Sequence, residues 1–199
     1  SFSTDGQRFY FTRCSEDENG KMTCAIYLSE QKEGKWQEPF RLGPAVNLPT
    51  SSCTHPNVGT NNKGEEVLYF SSDNAEGRGG YDIWYSIKVR DANFFTPAVN
   101  LGPNVNTESN EVTPFFDHRT KTLYFSSDGY HNISMGGFDI FATELQKDGK
   151  WSASKNVGFP INSTLDDMSF YITPNGSRYV ASINNDNNYD LFLLEKGKF

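Results

Sequence analysis

Leu123-Tyr124-Phe125-Ser126-Ser127-Asp128-Gly129, followed by Gly136-Gly137-Phe138-Asp139-Ile140-Phe141, is the stretch on which the fold turns. Two apolar and aromatic runs of strand length flank a glycine-rich polar loop, and neither shows a sustained period of 3.6 residues. The same strings recur along the chain. Tyr10-Phe11-Thr12, Tyr69-Phe70-Ser71 and Tyr124-Phe125-Ser126 stand 59 and 55 residues apart, and a weaker copy, Val180-Ala181-Ser182, follows after 56. A second series reads Tyr81-Asp82-Ile83-Trp84, Phe138-Asp139-Ile140-Phe141 and Tyr189-Asp190-Leu191-Phe192. Its degenerate first copy, Cys24-Ala25-Ile26-Tyr27, has Ala25 in place of the aspartate. A third marker, Leu42-Gly43-Pro44-Ala45-Val46-Asn47, is matched by Leu101 to Asn106 and by Val157 to Asn162.

Three markers travelling together define four units, at about 1–47, 48–106, 107–162 and 163–199. Four strands per unit with a repeated aromatic-Asp dipeptide indicate an all-β fold, a β-propeller of four-stranded blades. In the third unit the strands are expected at 113–116, 123–126 and 138–143, with an irregular fourth from Trp151 to about Val157 and a turn at Asp117 to Thr120. One blade cannot bury both its faces, so Trp84, Phe141 and Phe192 are expected to pack blade on blade. Asp82, Asp139 and Asp190 are short enough to cap backbone N–H groups of a neighbouring turn. Gly79-Gly80 and Gly136-Gly137 are expected to supply positive φ just before the third strand. The ring is expected to continue beyond these four units, the chain being an excerpt of a longer one, since open sheet edges are aggregation templates.

Composition excludes several classes. The 199 residues hold 18 Lys+Arg against 25 Asp+Glu, a formal charge of −7, which argues against a nucleic-acid partner. Aromatics at 15% are too many for a disordered chain. No apolar run approaches the roughly 20 residues of a membrane-spanning helix.

The Leu123 to Gly129, Gly136 to Phe141 and Asn100 to Asn106 strings together resemble the WD40-like repeat of TolB-type periplasmic propellers. Their particular flavour is similar to the propeller of OmpA-family, peptidoglycan-associated outer-membrane lipoproteins of Bacteroidetes, some of them type IX secretion components. That resemblance implies a non-enzymatic, cofactor-free interaction scaffold in the periplasm, associated with the outer membrane. Its partners would be other cell-envelope proteins, with peptidoglycan bound only through domains outside this chain.

Against this stands a glycan-binding or glycan-cleaving propeller using acids at the central channel. Glu111 aligns with Asp167, with Asp166 beside it, each just before a first strand; the blander role for such recurring acids is that of a turn cap. Cys14 aligns with Asp73 and Asp128, and Cys24 with Tyr81 and Phe138, so the two could form a disulfide across a hairpin or remain independent thiols. Cys53 reads as a lone semi-buried thiol. No CxxC or clustered histidine suggests a metal, and His55, His118 and His131 fall at non-equivalent places. The loops at 73–80, 128–137 and 184–188 are polar and dissimilar, as binding loops on a rigid scaffold are. Asp73 to Gly77 offers oxygen ligands without the twelve-residue calcium pattern.

Overall fold

The computed structural model describes residues 1–16, 18–90, 94–183 and 188–194. Asn184 to Asn187 of the last polar loop, and Lys198-Phe199, lie outside the described residues. Everything described is strand, turn or loop, arranged as four antiparallel blades of a β-propeller.

The first blade contains β1 (Arg8–Glu16), β2 (Met22–Lys32), β3 (Lys35–Trp36) and β4 (Phe40–Arg41). Its innermost position is taken by residues 1–3, which bridge Phe2 to Phe9 and bond the Ser1 carbonyl to Tyr10 N. The second holds β5 (Cys53–Thr60), β6 (Glu66–Ser72), β7 (Asp82–Ile87) and β8 (Val99–Asn100), hydrogen-bonded in that order. The third repeats the pattern with β9 (Glu111–Asp117), β10 (Thr122–Ser127), β11 (Asp139–Glu144) and β12 (Lys155–Asn156). The fourth has β13 (Asp167–Ile172), β14 (Arg178–Ile183) and β15 (Tyr189–Leu194).

Strand periodicity of two puts alternate residues of each middle strand on opposite faces, and the core follows. Leu68 and Phe70 pack with Tyr10, Ile26 and Leu28 of the first blade, whereas Val67 and Tyr69 pack with Phe116, Leu123 and Phe125 of the third. Ile140, Phe170 and Val180 form the last seam, with Phe115 and Tyr124 against it. Burial of each such side chain contributes about 1.5–3 kcal/mol. Trp84 and Phe141 are buried as expected; Phe192 is 46% exposed. On the first blade, the face opposite this core carries Phe9, Phe11 and Tyr27, with the Arg13 guanidinium over the last two rings.

Three local expectations change. In the fourth blade Tyr179 pairs with Leu193 and Val180 with Phe192, as Tyr124 pairs with Ala142 and Phe125 with Phe141. The true copy of Tyr124-Phe125-Ser126 is therefore Tyr179-Val180-Ala181, one residue earlier than the sequence match. Such a slip would move every side chain to the wrong face. The glycine pairs do not adopt positive φ. They are small because the next blade's backbone runs against them: a Cβ on Gly79 would lie 2.5 Å from the Glu108 carbonyl carbon, and one on Gly136 would collide with the Leu165 carbonyl. The first strand of the third blade begins at Glu111, two residues before the expected start, which places Glu111 inside it.

Cys14 and Cys24 face each other across β1 and β2 and are joined by a disulfide; Cys53 is a buried free thiol.

Candidate functional site

Each of the first three blades is closed by an asparagine at the end of the third sequence marker. Asn106 accepts from Ile83 N at 2.9 Å and donates to the Ile83 carbonyl at 2.9 Å, imitating a neighbouring strand, and donates again to Asn100. Asn162 does the same for Ile140 and Asn156, and Asn47 for Ile26 and Leu42. The aspartates cap the loop of their own blade. Asp82 Oδ2 accepts from Arg78 N and from Asn100, and Asp139 Oδ2 from Met135 N and Asn156. Asp190 is exposed.

The acids considered for the channel sit at the N-terminal ends of the inner strands with their oxygens turned into the adjoining loops. Glu111 is fully buried; Oε1 accepts from Thr107 Oγ1 and Ser127 Oγ, both at 2.7 Å, and Oε2 accepts from Thr107 N at 2.8 Å. Burial pushes its carboxyl above the ordinary range, and the nearby Asp82 charge adds to the shift. Asp167 accepts from Ser163 N, and half-buried Asp166 from Phe138 N. His131 is exposed, and the Asp73 to Gly77 loop is tied by Asp73 to Ser52 N and by Asn74 to Ser51 and Glu76 N. Among the described residues, no three His, Cys, Asp or Glu side chains are grouped to hold a metal ion.

The channel is shaped instead by a feature no motif announces. β5, β9 and β13 each carry a bulge at the same place, where His55, Thr113 and Ser169 adopt left-handed backbone with φ of 51°, 51° and 55°. Non-glycine residues there cost about 1–3 kcal/mol each, and such conformations cluster at ligand sites. The bulges are pinned from neighbouring blades: Thr12 Oγ1 accepts from His55 N and Thr113 Oγ1 from Ser169 N. Bulges re-aim side chains. Past them, Asn57 reaches across to Phe116 N at 2.8 Å, and Phe115 meets Tyr171 edge-on at 5.0 Å between centroids.

These residues open onto a cleft of about 700 Å³ that touches all four inner segments. Its walls include the rings of Phe2, Phe9, Phe115 and Tyr171, and its polar groups include Asp117 and Arg119. Asp117 Oδ1 accepts from Arg119 N and Nε at 3.1 Å, and Oδ2 from Thr120 Oγ1 at 3.1 Å, which leaves Oδ2 a lone pair. Burial raises this carboxyl, but the bonds from Arg119 and Thr120 outweigh it and hold it below the usual range. His118 donates from Nε2 to the Val58 carbonyl and sets its ring edge-on to Phe116. Glu111 lies at the other end of β9, about 20 Å from Asp117 at roughly 3.3 Å per residue. Glycosidase carboxyl pairs are about 5–10 Å apart, so these two cannot act together.

No protein-family model and no curated protein matches the sequence. Solved structures do match. An endo-arabinase from Bacteroides thetaiotaomicron is 14% identical with a TM-score of 0.59, covering 97% of this chain and 74% of its own. The family-43 endo-arabinanase of Bacillus licheniformis is 12% identical with a TM-score of 0.61 over 98% of this chain and 70% of that one. An alpha-L-arabinofuranosidase from Lactobacillus brevis gives 14% and 0.58, over 95% and 68%. At such identities the likeness is one of fold.

That likeness corrects the resemblance drawn from the motifs. These solved neighbours are glycoside hydrolases and not TolB-type or OmpA-family lipoproteins, and the readings that hung on that family, an envelope scaffold and a non-enzyme, fall with it. The physical reason is that the matched strings are the asparagine clasps, aspartate caps and interblade aromatics. They report how a blade is built and nothing of what it does.

Proposed function

We propose that the chain is a glycan-acting propeller that takes a sugar chain in the central cleft and hydrolyses a glycosidic bond there. The observation that carries this is the pairing, in one cleft, of aromatic faces with an ionised carboxylate and a guanidinium. Phe115 and Tyr171 offer flat apolar faces to a sugar ring, and Arg119 and the spare Asp117 lone pair are suited to its hydroxyls. The reaction class is supported by the fold, which is that of proteins named endo-arabinase and arabinofuranosidase. In glycoside hydrolysis one carboxylate must stay ionised to activate water or to stabilise the oxocarbenium-like transition state. Asp117, held below the ordinary range, meets that requirement.

The test is affinity electrophoresis through gels containing arabinan or other plant and microbial polysaccharides, with reducing ends measured in parallel. Tyr171→Ala should weaken retardation about tenfold or more, the loss of about 1.4 kcal/mol. Asp117→Asn should abolish release of reducing ends while leaving binding within about threefold. No retardation and no reducing ends with any polysaccharide would sink the proposal.

A further inference from the structure

A second concave site lies away from the channel, at the seam between the second and third blades. It is a groove of about 480 Å³ whose lining includes Val67, Ile87, Leu101 and Trp151 as walls and two tyrosines, Tyr69 and Tyr85. Tyr69 is 2% exposed, held against Trp151 edge-on at 5.9 Å and stacked on Phe116 at 5.6 Å. Neither tyrosine hydroxyl has a hydrogen-bond partner among the described residues, although both rings are packed together, with centroids 6.4 Å apart. Neither oxygen is a buried orphan, so both open to the solvent of the groove, where an entering polar group can bond them.

The mouth has the opposite character. Lys63 and Lys150 are exposed on its rim, in a protein whose formal charge is −7. Two acids stand near them, Asp148, 3.9 Å from Lys150, and Glu65, which accepts from Asn61 Nδ2; both are on the open surface, where such charges do little to neutralise the rim. The site therefore offers two tyrosine hydroxyls, an apolar and aromatic throat, and two ammonium groups on its rim.

We propose that this groove binds a small hydroxylated aromatic carboxylate, its phenol hydrogen-bonded to Tyr69 and Tyr85, its ring between the apolar walls and its carboxylate at Lys63 and Lys150. The volume is within the range of small-molecule sites, and a few placed polar groups on apolar walls are their usual make-up. The inference is independent of the channel reading, since the two sites have no lining residue in common.

Calorimetric titration of the whole chain with 4-hydroxycinnamate tests it, alongside cinnamate, which lacks the phenol, and methyl 4-hydroxycinnamate, which lacks the charge. The expected order is 4-hydroxycinnamate tightest, with each of the others at least fivefold weaker. Tyr69→Phe should weaken 4-hydroxycinnamate about fivefold or more and leave cinnamate unchanged, and Lys63→Glu with Lys150→Glu should weaken both acids but not the ester. Ile87→Trp, which fills the throat, should abolish binding by all three; circular dichroism verifies that each variant is folded. Absence of measurable heat with the wild-type chain, equal affinity for the ester and the acid, or a Tyr69→Phe effect of the same size on cinnamate would overturn it.

Discussion

The junction between the first and second blades and the junction between the second and third are built on one backbone scheme with different chemistry. At the later junction, Asp82 and Glu111 are both buried; loop N–H groups, amides and hydroxyls bond both oxygens of Glu111 and Oδ2 of Asp82, while Asp82 Oδ1 has no partner among the described residues. At the earlier one Ala25 and Cys53 stand at the corresponding positions, both buried and neither charged. The two acids are absent together. What replaces their hold on the loop in the first blade is covalent: the Cys14–Cys24 disulfide ties the strands at the end where the later blades have long capped loops. Loop retention can be achieved by a polar network or by a cross-link, and only the network leaves the fold dependent on protonation.

The amide clasp is common to both junctions and should give the largest effect. Asn106→Leu strands the Ile83 N–H and one Asn100 contact in a buried seam and takes one of two donors from the Ile83 carbonyl, which keeps Leu101 N; it should cost about 3–5 kcal/mol, read as a fall in Tm of roughly 10 °C. Asn47→Leu should cost as much; a much smaller loss there would mean that the disulfide-tied blade does not need its clasp. Next, Asp82→Ala should cost about 2–4 kcal/mol by stranding Arg78 N and Asn100. Adding Glu111→Cys, which recreates the earlier junction, should cost at least about 1 kcal/mol less than the sum of the single changes, measured as a double-mutant cycle by denaturant unfolding. Simple additivity would show that the acids are not coupled.

Cys14→Ser with Cys24→Ser opens a loop closed at a sequence separation of 10 and should lower stability by about 2–3 kcal/mol. Dithiothreitol should lower the wild-type Tm and leave the variant unmoved. The smallest effect is on pH dependence. The Glu111 carboxyl sits above its unfolded value of 4.5, so the folded state holds that proton more tightly. Its contribution is complete below pH 4.5 and is lost as pH rises through the raised folded value. Glu111→Gln should flatten that decline in a stability profile from pH 4 upwards, and an unchanged slope would assign the decline to other groups.

The blade repeat was legible because clasp, cap and aromatic each need a particular residue type at a fixed register, and three such requirements in step leave few alternatives. The disulfide partners were visible through the same register. The fourth blade misled by one residue because Ser182 matched a serine whose place is held by Ala181, and only the pairing of Val180 with Phe192 reveals it. The glycine pairs were noticed for the wrong reason, since a close approach by another blade leaves no mark on the local sequence. The cleft was not legible at all. Phe115 and Tyr171 look like interblade aromatics until the bulges at Thr113 and Ser169 are placed, and residues of those types do not announce left-handed backbone. Asp117 reads as an ordinary turn residue, which it also is.

The asparagine clasp bears on how the chain reaches this shape. Asn47, Asn106 and Asn162 grip residues only 21, 23 and 22 positions back, so each of the first three blades is fastened by chain that follows it closely. All-β proteins usually fold slowly because their pairings join distant segments. Here the pairings are between strands close in sequence, and the longest necessary reach is to the adjoining blade. A chain of this kind can complete one unit before the next is made, during synthesis as well as in the test tube.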